Sequence, residues 1–164
     1  QIMISANRNH ELYLQHAGEV VGDEFDQCRG QAQDYAGPLA GFLAAMRATS
    51  APYLLTLPCD APFAPPDLAQ RLARALMQNN AAIAIAQVGD TLHPTHALMA
   101  TSLQNELTQA LAQGERGVDR WCASQACVQV NFDDQREAFI NINTPEALAR
   151  QSKLIVARGS IKAT

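Results

Sequence analysis

The sequence predicts an α/β fold in which a mostly parallel sheet lies between layers of helices, on three observations. Short apolar, β-forming runs (Tyr53–Leu57, Ala82–Ala86, Val128–Phe132) alternate with stretches whose apolar residues recur at helical spacing. The run Ala82–Ala86 is apolar almost throughout, as in a strand covered on both faces. The order strand, helix, strand around Tyr53 implies a right-handed parallel crossover. At 164 residues the chain has room for one domain with a real core and not for two. Residues 1–152 are expected to form that domain and 153–164 a tail.

Taken in order, Gln1–Ser5 reads as a strand entered halfway through, with a loop at Asn7–His10 and a short helix over Glu11–Gln15. A native chain ordinarily begins with Met, so an N-terminal portion is expected to be missing before Gln1. Glu19–Gly22 is a second short strand ending at Asp23, and the polar, aperiodic segment Glu24–Ala36 reads as a mobile loop. Gly37-Pro38 starts the clearest helix, with Leu39, Phe42, Leu43 and Met46 on one face. After the strand Tyr53–Leu57, Pro65-Pro66-Asp67 opens another helix carrying Leu68, Leu72 and Leu76, which Asn79-Asn80 ends. A Gly89-Asp90 turn joins Ala82–Ala86 to an antiparallel strand, Leu92–Met99. Thr101 and Gln104 have capping-box spacing ahead of the stripe Leu103, Leu107 and Leu111. A short helix carries Trp121, Val128–Phe132 alternates as a half-buried strand, and Phe139–Asn143 reads as a last strand before a helix capped by Thr144. The leucine stripes and Trp121 are expected in the core.

Composition narrows the function. Hydrophobic residues at 48% and charged ones at 17% mark a folded protein rather than a disordered one. A net charge of -4 without any basic stripe argues against nucleic acid as a partner. The four cysteines form no Cys-x-x-Cys pair, which excludes zinc-ribbon spacing and fits a reduced, cytoplasmic compartment. No run approaches the roughly 18 apolar residues that span a bilayer, so no membrane association is expected.

Asp60 is the leading candidate for chemistry. Pro58 halts the strand Tyr53–Leu57, and Asp60 follows where the chain leaves the sheet. In an open α/β sheet ligands gather at the C-terminal edges of strands, and a carboxylate there can hold a hard divalent cation against a phosphate. On local pattern alone, Asp60 can equally cap a turn between two prolines.

Asp23 after a strand, Gly37–Gly41 at a helix start, Leu57–Phe63 around Asp60, His93-Pro94-Thr95, Gly114–Arg116 and Phe139–Glu146 form an ordered set of motifs. That set resembles the molybdenum cofactor guanylyltransferase family, over nearly all of Ile2 to Arg150. The resemblance implies a three-layer, Rossmann-like nucleotidyltransferase fold with a mostly parallel sheet and one antiparallel strand. The family's first strand and glycine-rich loop have no counterpart after Gln1. Such a loop supplies amides that hold a triphosphate, so the chain alone is expected to bind nucleotide poorly.

The implied reaction is transfer of GMP from GTP to molybdenum-molybdopterin, with Mg2+ as cofactor. Molybdoenzymes or cofactor-delivery proteins are the implied recipients of the product. Asp60 is then both the catalytic and the metal carboxylate. Asp23 matches the family's second acidic position near the nucleotide, where Asp26 and Asp34 also compete, and a strand-end turn explains Asp23 as well. Ser5 stands where relatives often place an Asn, which leaves Asn7 as the nearby nucleotide contact. Gly37 begins a helix whose N-terminus can face a phosphate. Asn141 and Asn143, two residues apart on an extended segment, project to one face and are assigned to the molybdopterin side. Arg116 can clamp a substrate phosphate or simply be solvated. His93 reads as a packed histidine and Cys59 as packing, because a hard cation prefers oxygen. Two other readings stay open: a sugar-phosphate or other small-molecule nucleotidylyltransferase of the same fold, and an inactive binding remnant.

Overall fold

The computed structural model describes residues 1–22 and 37–149. The elements are β1 (Met3–Ser5), α1 (His10–Leu14), β2 (Glu19–Val21), α2 (Pro38–Ala48), β3 (Tyr53–Thr56), α3 (Leu68–Gln78), β4 (Ile83–Val88), β5 (Thr91–Ala100), α4 (Gln104–Ala112), α5 (Val118–Ala123) and β6 (Cys127–Asn131). Asp23, Asp26, Asp34, the loop expected over 24–36 and the tail expected over 153–164 lie outside the described residues.

The helices form where their apolar spacing lets them bury one stripe. Pro38 opens α2, where an amide hydrogen would have no partner, and Leu39, Leu43 and Met46 turn fully inward. Leu68, Leu72 and Leu76 do the same for α3. Asn79 stops α3 by giving its side-chain amide to the Ala75 carbonyl at 2.8 Å, and Asn80 takes the left-handed conformation at φ 50°. Gly89, at φ 56°, makes the tight turn that pairs β4 with β5 antiparallel.

These elements form three layers. The main sheet has the order β3-β5-β4-β6, with β4 and β6 parallel and β5 antiparallel to both its neighbours. Against one face pack α2, α4 and α5, through Leu43, Met46, Leu107, Leu111 and Trp121 on Leu54, Ile83, Ile85 and Met99. Against the other pack α3 and a 3-10 segment, Asp133–Phe139, through Leu72, Leu76, Phe132 and Phe139 on Ala84, Ala86 and Leu98. Ile83 to Ala86 are buried at every position, as a strand covered on both faces requires.

Four expectations change. The single sheet is two: β1 and β2 form a separate parallel pair, joined to the main sheet through α2, whose core cluster takes in both Val21 and Leu54. The strand–helix–strand unit therefore links two sheets instead of crossing over within one. β3 is buried on one face only, at Leu54 and Thr56, while Tyr53, Leu55 and Leu57 remain 37% to 51% exposed. Phe139–Asn143 is not a strand: Phe139 closes the 3-10 segment inside an aromatic cluster, and 140–143 run on without a ladder. The capping box does not form, because the Thr101 hydroxyl donates to the Ala51 carbonyl at 2.7 Å and ties the start of the α4 region to the loop before β3.

The α3 layer depends on Leu72, which is fully buried between the helix and the sheet. Leu72→Ala is expected to destabilise the fold by about 2–5 kcal/mol, read from the shift of a denaturant unfolding curve.

Candidate functional site

Pro58 breaks β3 beyond its C-terminal edge, and the chain turns through Cys59 and Asp60, with the Ala61 amide 3.5 Å from the Pro58 carbonyl. The loop is pinned from across the molecule. The Ile142 N–H donates to the Asp60 carbonyl at 2.7 Å, bringing the segment after the 3-10 turn alongside. Between them lies an open cleft of about 440 Å³, walled by Cys59, Asp60, Ile142, Asn143 and Thr144. Residues 145–149 are helical, and the Thr144 hydroxyl accepts the Ala147 N–H at 3.1 Å, the cap its sequence predicts.

Asp60 is half-buried, and its carboxylate makes no hydrogen bond or ion pair among the described residues. Other acids are engaged. Asp134 takes a forked pair of bonds from Arg71, and Asp133 accepts from the Asn131 side chain, the Gly89 N–H and Arg136. The Arg120 side chain and the backbone N–H groups of Gly117 and Arg116 hold Glu115 down at about 2. A carboxylate left free on a cleft wall suits a hard divalent cation that takes its other ligands from water and substrate phosphates. Among the described residues no group of three or more His, Cys, Asp and Glu side chains forms an all-protein metal cage.

β5, which pairs with β3, carries a bulge against β4. Its register with β4 passes from Ile85 opposite Ala97 to Ala86 opposite His93, leaving Pro94, Thr95 and His96 without β4 partners. Pro94 cannot donate to a ladder, and a bulge re-aims nearby side chains. His96 points inward, 1% exposed, with its ring 4.8 Å from Phe139 and 5.8 Å from His93. His93 packs on Phe139 at 4.8 Å, as the sequence suggests. Burial lowers His96 to about 4, reinforced by His93, while the charge of Asp60 pulls the other way. Among the described residues, neither His96 ring nitrogen has a hydrogen-bond partner.

The structure thus brings Asp60 and Asn143 into one cleft, with Asn141 exposed two residues upstream. Gly37 and Arg116 meet at a second place. A Cβ on Gly37 would lie 3.5 Å from the Arg116 carbonyl, and the Arg116 guanidinium donates to the Leu111 and Glu115 carbonyls at 3.0 and 2.8 Å, closing the end of α4. No hydrogen bond or ion pair among the described residues links this pair to Asp60. Asn7 sits after β1, its side-chain oxygen 3.8 Å from where a Gly22 Cβ would be. Cys59, expected as packing, is exposed on the cleft wall. Sequence reasoning missed His96, although a proline inside a strand run was the signal for a bulge there.

A sheet of this topology, with a carboxylate and amide side chains at a strand's C-terminal edge, defines an α/β protein of the nucleotide-handling class. Residues 1–130 match the MobA-like NTP transferase domain, and the chain belongs to that family. It is 41% identical over 155 residues to a molybdenum cofactor guanylyltransferase of Shewanella loihica and 42% identical over 155 residues to one of Shewanella amazonensis. Each alignment covers 94% of this chain and 76% of the relative. Among solved structures, the molybdopterin-guanine dinucleotide biosynthesis protein A of Archaeoglobus fulgidus superposes with a TM-score of 0.72 at 22% identity. That superposition covers 94% of this chain and 78% of the other, and shares the fold.

Gly37, at φ 73° and ψ -178°, occupies backbone space that side chains resist. Gly37→Ala is expected to cost about 1–3 kcal/mol of stability in thermal or denaturant unfolding, through strain at the start of α2.

Proposed function

We propose that the protein transfers GMP from GTP to molybdenum-molybdopterin, giving the molybdopterin guanine dinucleotide cofactor and pyrophosphate. The observation that carries this reading is that Asp60, whose carboxylate has no partner among the described residues, lines one cleft with Asn143, in a chain about 40% identical to relatives named as molybdenum cofactor guanylyltransferases. A terminal phosphate oxygen of molybdopterin forms a bond to the α-phosphorus of GTP, and the bond from that phosphorus to the bridging oxygen breaks as pyrophosphate leaves. Such a step needs alignment of two anions more than a side-chain nucleophile.

Asp60 holds the divalent cation, taken as Mg2+, in this reading. Bound there, the cation offsets triphosphate charge that would otherwise repel the incoming phosphate. Asn143 and Asn141 supply amide donors and acceptors for the pterin edge or its phosphate. The Ile142–Asp60 backbone bond fixes the two sides of the cleft relative to each other. Asp23 and Asn7 belong to the nucleotide side. Gly37 serves it by keeping the first turn of α2 open to a phosphate, and Arg116 serves it with the guanidinium donors not given to α4.

Asp60→Asn keeps the shape and removes the charge. It is expected to lower metal-dependent turnover at least about a hundredfold while circular dichroism and melting stay near wild type. Measured on the full-length protein, Mg-GTP should raise the melting temperature more than Mg-CTP or Mg-UTP, and a larger rise with a pyrimidine nucleotide would overturn the assignment of GTP.

A further inference from the structure

Among the described residues, the irregular stretch of β5 carries a buried imidazole with two unpartnered nitrogens, and the carboxylate on the cleft wall is likewise unpartnered. Buried polar groups are rarely left without a partner, and when one is, a ligand, a water or a neighbouring side chain usually accounts for it. Two neighbours can be set aside as acceptors. His93 meets His96 edge-on with ring centroids 5.8 Å apart, and Phe139 offers only a ring face at 4.8 Å. Asp60 is close by: Ala97, next to His96, pairs with Thr56 at the end of β3, and the segment that packs Phe139 on the His96 ring goes on to bond Ile142 N–H to the Asp60 carbonyl. A donor lacking an acceptor therefore stands near an acceptor lacking a donor.

We propose that His96 is a positioning residue that gives a ring N–H to the Asp60 carboxylate across one water, and so fixes the direction in which that carboxylate meets the cation. The inference rests on the reading of Asp60 as the metal carboxylate. His93 and Phe139 wall the imidazole and limit its rotation, and the bulge supplies the backbone offset that re-aims it. A neutral ring, which burial favours here, offers one donor, enough for one carboxylate oxygen. Outer partners of this kind orient a ligand and commonly matter tenfold to a hundredfold in metal affinity.

The test uses Mn2+ as the probe, with GTP present, and counts free Mn2+ by electron paramagnetic resonance. His96→Phe keeps the packing and removes the donor. It is expected to weaken Mn2+ binding about tenfold and to raise the KM for metal far more than it lowers kcat. His96→Gln restores an N–H donor and is expected to recover most of the affinity. Unchanged Mn2+ affinity in His96→Phe overturns the proposal, and so does an equal loss in the Phe and Gln variants, which would make the role one of packing alone. If Asp60→Asn binds Mn2+ like wild type, the reading of Asp60 itself fails. If Asp60→Asn loses the metal and His96→Phe keeps it, only the positioning role fails. A fourth readout needs no His96 variant: the ring 15N resonances of His96 are expected to show a single tautomer that shifts in Asp60→Ala, and resonances indifferent to that change overturn the proposal.

Discussion

A single backbone hydrogen bond, from Ile142 N–H to the Asp60 carbonyl at 2.7 Å, joins two segments far apart in sequence and makes the cleft a shared structure. Without it, the loop after β3 and the segment after the 3-10 turn would each end in solvent. With it, Asp60 and Asn143 line one cleft, and the helix at 145–149 begins from the same wall. Three residues before Ile142, the Phe139 ring packs among His93, His96 and Phe132 and anchors the same segment to the core.

The acids of the protein divide by environment more than by type. Asp133, Asp134 and Glu115 are held below their ordinary range by side-chain and backbone donors, and they knit loops together. A carboxylate already satisfied in this way has little left to offer a cation. Asp60 differs in having a half-buried position after a strand end with no such donors among the described residues, which leaves its oxygens available to a cation. The same comparison separates Arg116, whose guanidinium already serves the carbonyls at the end of α4, from a freely solvated arginine.

Much of the fold was legible because its signals were local. The stripes of α2 and α3, the Gly89 turn, the doubly covered β4 and the Thr144 cap follow from spacing and turn chemistry within a few residues. What escaped depends on distant partners. The Tyr53–Leu57 run reads as buried, yet β3 is an edge strand in this sheet, so every second side chain is exposed. Phe139–Asn143 has strand composition, but the aromatic cluster draws Phe139 into a 3-10 turn and leaves one backbone bond where a ladder was expected. Thr101 has capping spacing, and the Ala51 carbonyl takes its hydroxyl instead. Asp60 was visible in the sequence as a strand-end acid. His96 was not, because its importance comes from a register shift that only the pairing of β4 and β5 displays.

The central claim, that a cation at Asp60 steadies GTP beside Asn143, is tested most directly by paramagnetic broadening of backbone amide resonances with substoichiometric Mn2+ and GTP. The account predicts that Asp60, Ile142, Asn143 and Thr144 lose intensity first. Broadening centred on Asp133 and Asp134, or on Gly37 and Arg116, with the Asp60 cleft spared, would contradict it.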